Sequence, residues 1–79
     1  MTSAQKRLVD LIRSEGGADD GPNGGAEYWP VMNDWVKDAG PVKALALRNI
    51  NRTVEALIRD GIITLDEDGL FHLTEAGLR

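Results

Sequence analysis

The segment from Leu57 to Leu73 changes its hydrophobic period once, and that change restricts the folds open to the chain. Up to Asp60 the apolar residues recur at helical spacing. After Gly61 they come in two short runs, "GIITL" and "LFHLT", separated by Asp66-Glu67-Asp68-Gly69. The pattern predicts a helix stopped by glycine and followed at once by a tight hairpin over 62–74. Gly61 permits the left-handed turn that redirects the chain from helix to strand. Ile62, Ile63, Leu65, Leu70, Phe71 and Leu73 then offer apolar side chains that pack the hairpin against helices. Thr74 is placed to cap a last turn built from Glu75-Ala76-Gly77.

Those helices are legible upstream. Thr2 and Gln5 form a T-x-x-Q capping box, and Ala4, Leu8, Leu11 and Ile12 follow at helical spacing, with Val9 at the margin. Gly16-Gly17 ends this first helix. Five glycines and a proline in "GGADDGPNGGAE" predict a flexible loop over 16–27. A second helix is expected over 28–40, with Pro30 in its first turn and Val31, Met32, Trp35 and Val36 on its apolar side. Both tryptophans read as large core fillers. Pro41 opens a third helix to about Asp60, with Leu47, Ile50, Val54, Leu57 and Ile58 as its core stripe. A break at Arg48–Asn51 is the alternative, since asparagine favours caps and turns.

A chain of 79 residues has room for one domain, 1–79. There is no cysteine, which excludes disulfides and thiolate metal sites. The beginning lacks the apolar run of a signal peptide, and no stretch approaches the roughly 20 apolar residues that span a membrane. A cytoplasmic protein without membrane contact is expected. The acids of the 16–27 loop fail the calcium register: starting at Asp19, position 3 is Gly21; starting at Asp20, positions 3 and 5 are Pro22 and Gly24. The single histidine, His72, reads as a strand residue beside the core. With no phosphate-binding glycine loop and no paired acids at a productive spacing, no catalytic residue, metal or cofactor is expected, and the protein is read as a non-enzyme.

The net charge of −4 is unevenly distributed. Segments 16–41 and 61–79 carry −4 and −3, whereas 42–60 carries +2 through Lys43, Arg48, Arg52 and Arg59 against Glu55 and Asp60.

Residues 50–79 resemble the recognition-helix-and-wing half of winged helix-turn-helix proteins. The family's "L-x-x-x-G-hydrophobic-hydrophobic" is matched by Leu57-Ile58-Arg59-Asp60-Gly61-Ile62-Ile63, and its "LT-x-x-G" by Leu73-Thr74-Glu75-Ala76-Gly77. The resemblance implies a mainly α fold of three helices plus a two-stranded antiparallel wing. It also implies double-stranded DNA as partner, bound by the third helix in the major groove. At about 100° per residue, Arg48, Arg52 and Arg59 fall within about 40° of one another, opposite the apolar stripe. Asn49 and Thr53 lie towards one flank and Lys43 near the helix start. Arginine and asparagine can read base edges, and Lys6 and Arg7 are placed for flanking phosphates. The expected contacts are therefore Lys43, Arg48, Asn49, Arg52, Thr53 and Arg59, in a small transcriptional regulator acting as a homodimer or within a larger complex. Three carboxylates at the hairpin tip oppose a phosphate contact there. They support a second expectation, a protein-interaction module whose acidic loop and wing face a basic partner.

Overall fold

The computed structural model describes residues 1–19, 24–37 and 40–79. Helix α1, Ser3–Ile12, starts on the predicted capping box: the Thr2 hydroxyl accepts the Gln5 amide at 3.1 Å, and the Gln5 side chain accepts the Thr2 amide at 2.9 Å. The helix widens into a π turn over Arg13–Gly17, and Gly16, at φ +103°, takes the chain off the helical path. The Gly16 carbonyl then accepts both the Asp19 and Gly25 amides, at 3.1 and 2.9 Å. The predicted loop is thus tied at both ends. Its last residues, Ala26–Glu27, are a strand, β1. Asp20, Gly21, Pro22 and Asn23, on which the calcium reading partly fell, lie outside the described residues.

Helix α2, Tyr28–Val36, follows β1 without a linker, with Pro30 in its first turn and Val31, Met32 and Trp35 buried. It ends at Val36 with Lys37 as its C-cap, short of the expected Gly40, and Asp38 and Ala39 lie outside the described residues. A 3₁₀ turn at Gly40–Val42 precedes helix α3, Lys43–Arg59. Pro41 therefore belongs to a separate turn, because Val42, at φ −100° and ψ 33°, interrupts the helical path. No break occurs at Arg48–Asn51, and α3 is continuous.

The core stripe of α3 is shifted from its predicted position. Ile50, Val54 and Leu57 are buried as expected, joined by Thr53 and flanked by Ala46. Leu47 and Ile58 are instead 41% and 42% exposed. Helices α1 and α2 both pack on α3, and the face they cover is centred on Ile50 and Leu57, leaving Leu47 and Ile58 at its edge.

Strands β2, Ile63–Leu65, and β3, Leu70–Leu73, form the predicted hairpin, with Leu65 opposite Phe71 and Ile63 opposite Leu73. β1 pairs with the free edge of β3, Ala26 opposite Phe71 and Glu27 opposite Leu70. The expected two-stranded hairpin is therefore part of a three-stranded antiparallel sheet of order β1-β3-β2. Phe71, in the central strand, is wholly buried with Leu8, Ile12, Met32 and Ile63. A last helix, α4, covers Glu75–Leu78 and is capped by Thr74, whose hydroxyl accepts the Gly77 amide at 3.3 Å and lies 3.0 Å from the Ile62 carbonyl oxygen. Arg13 ties this end to α1, donating to the Gly77 carbonyl at 3.1 Å. The described architecture is mainly α with one small antiparallel sheet. None of its helices is long and apolar enough to cross a membrane.

Candidate nucleic-acid interface

The outward face of α3 is held in place from behind. Trp35 of α2 is buried, and its indole N–H donates to the Ala46 carbonyl at 3.1 Å. Arg7 of α1 lies 4.4 Å over the Trp35 ring and donates to the Trp35 carbonyl at 2.8 Å. One indole therefore joins three helices by a hydrogen bond, a cation–π contact and its own burial. Arg7 is engaged in this joint and remains an exposed residue. The other tryptophan departs from the sequence reading: Trp29 is 69% exposed.

Arg48, Arg52 and Arg59 are all exposed on the outward face of α3. Arg48 and Arg52 form no ion pair with any described residue. Arg59 Nε lies 3.9 Å from Asp60 Oδ1, rather than pairing with Glu55 one turn back. Asn49 is exposed about 100° around the helix from Arg48. Lys43 is exposed at the first turn, about 140° from Arg48 by the same geometry. Thr53 does not join them. It is 8% exposed, and its hydroxyl donates to the Asn49 carbonyl at 2.8 Å, so the side chain points into the helix's packed side. Leu45, 53% exposed, shares the arginine side of the helix, while Leu47 and Ile58 form an exposed apolar flank.

The hairpin tip is organised by one of its own acids. Asp66 Oδ1 accepts the Asp68 and Leu70 amides, each at 2.9 Å, and Oδ2 lies 2.7 Å from His72 Nε2. The Leu70 amide, and then the His72 contact, hold the Asp66 carboxyl below its ordinary value. His72 is therefore half-buried beside an acid partner that sequence reading missed. The two residues are six apart, a separation that means nothing until the turn brings the strands together. Gly69, at φ +80°, completes that turn. Glu67 and Asp68 remain exposed.

Acids also meet where the π turn after α1 faces α2. A hydrogen bond with Asp34 raises the Glu15 pKa, helped by burial and by the charges of Asp34 and Glu27. Among the described residues, no group of three or more His, Asp or Glu is arranged to hold a metal ion.

Comparison with known protein families, curated proteins and solved structures finds no match to this chain.

Proposed function

We propose that the chain is a winged-helix domain that binds double-stranded DNA through α3, and that it acts as a binding protein rather than an enzyme. The observation that carries this reading is the pair Arg48 and Arg52: exposed, one turn apart and without an ion pair among the described residues, on a helix whose back is fixed by Trp35 and the core. Guanidinium groups presented in this way suit guanine edges and phosphates. Arg59 extends the same face, and Asn49 and Lys43 flank it. The acidic hairpin tip stays off the phosphates, and the hairpin's part is to brace α3. Such binding should weaken steeply with salt, because phosphate contacts release counterions. Titration of a random duplex pool at low salt tests it, with Arg52→Ala weakening a selected site more than random sequence.

A second reading, a protein-interaction module on the same scaffold, is favoured by Leu45, Leu47 and Ile58. These exposed apolar side chains on or beside the arginine face suit a protein surface better than a groove lined by phosphates. In this reading the acidic hairpin faces a basic partner.

A further inference from the structure

An open groove of about 500 Å³ runs between the start of α2 and the hairpin tip, lined by Glu27, Tyr28, Trp29, Asp68, Gly69 and Leu70. Its chemistry is uniform in one respect: it combines aromatic rings with carboxylates and contains no cation. Tyr28 stacks on buried Phe71, with centroids 5.8 Å apart and planes 27° apart, so its ring is fixed by the core. Trp29 stands edge-to-face against Tyr28, 5.3 Å away at 88°, yet leaves most of its own surface in solvent. Glu27 is the cross-strand partner of Leu70, which puts one carboxylate beside the apolar floor. Asp68 adds a second from the turn. Neither acid pairs with a cation among the described residues.

We infer that this groove binds an arginine side chain of a basic partner protein, with the guanidinium on Trp29 and its N–H groups directed to Glu27 and Asp68. Charge complementarity selects a cation. The planar face of Trp29 selects arginine over lysine, because a guanidinium can stack and donate from its edge at once. The chain makes a contact of this kind internally, where Arg7 lies 4.4 Å over Trp35 and donates to a carbonyl beside it. The inference rests on the second functional reading only in taking the hairpin's partner to be a basic protein. DNA binding by α3 stands or falls without it.

The test is titration of the full chain with a hexa-arginine peptide, following the Trp29 indole N–H and the Glu27 and Gly69 amides by two-dimensional NMR. Hexa-lysine, a neutral peptide and tetramethylammonium serve as comparison ligands. Saturable shifts confined to the groove are expected, tightest for hexa-arginine. Trp29→Ala should weaken the interaction by about tenfold while leaving the spectrum folded. Glu27→Gln with Asp68→Asn should weaken it further and flatten its salt dependence. Shifts spread over every acidic surface and unchanged by Trp29→Ala would overturn the site. Tetramethylammonium binding there as tightly as hexa-arginine would overturn the protein partner in favour of a small amine. Loss of DNA binding in Arg48→Ala, with the groove titration intact, would separate the two surfaces.

Discussion

At the scale of single residues, Asp66 and Thr53 show how a side chain's chemistry is redirected by its neighbours. Asp66 looks in sequence like one of three equivalent surface acids, but it accepts two backbone amides and meets His72. Its pKa lies below the ordinary value of 3.8, so the folded state favours the ionised form. Its contribution is complete above that value and is lost as pH falls through the lower folded value. Glu15 acts with the opposite sign, since its raised pKa makes repulsion with Asp34 grow as pH rises through the folded value. Thermal melts of wild type and Asp66→Asn as a function of pH separate the two: the variant should melt lower near neutrality, and the gap should close in acid below about 3.8. Thr53 behaves as structure. Thr53→Ala should cost about 1 kcal/mol in denaturant unfolding through its lost bond to the Asn49 carbonyl, and leave DNA affinity unchanged.

At the scale of elements, the ending "LT-x-x-G" acquires a mechanical meaning. A Cβ on Gly77 would stand 2.3 Å from the Ile62 carbonyl oxygen, so α4 can close onto the hairpin only if this position has no side chain. Gly61 differs: its φ is +74°, but open space surrounds it. Gly77→Ala should therefore cost about 1–3 kcal/mol by overpacking, and Gly61→Ala about 1 kcal/mol by backbone strain alone, both read from urea unfolding. The elements that announced themselves carry strong local signals: the Thr2–Gln5 box, Pro30, Gly61 and the Asp68-Gly69 turn. Strand β1 gave none, because two residues are too few to show alternation, and its existence depends on the edge of β3 being free to pair. Helical periodicity found α3 but set its core stripe off centre. The angular spread of Leu47, Ile50, Val54 and Ile58 is continuous, and only packing by α1 and α2 decides which side is covered. The same logic separates the tryptophans, one locked by Ala46 and Arg7 and the other left in a groove.

At the scale of the molecule, the charges are partitioned rather than balanced. The outward face of α3 carries Arg48, Arg52 and Arg59 with Glu55 among them and Asp60 beside Arg59, whereas acids outnumber cations at the hairpin tip, in the groove and where Glu15 meets Asp34. This uneven distribution leaves residues 42–60 at +2 in a chain of net charge −4, and the proposed DNA contact relies on that local excess. Trp35 couples the scales, since its indole sets the position of α3 beneath that surface. Trp35→Phe should lower stability by about 1–3 kcal/mol in urea unfolding, by removing the Ala46 hydrogen bond and weakening the Arg7 contact. The central claim is that α3 binds DNA through Arg48 and Arg52. Its most direct test is the salt dependence of binding to a random duplex pool, compared between wild type and the Arg48→Ala, Arg52→Ala double variant. The account predicts binding at low salt and a log–log salt slope shallower by about 2 in the double variant. Absence of wild-type binding at low salt, or an unchanged slope and affinity in the variant, would contradict it.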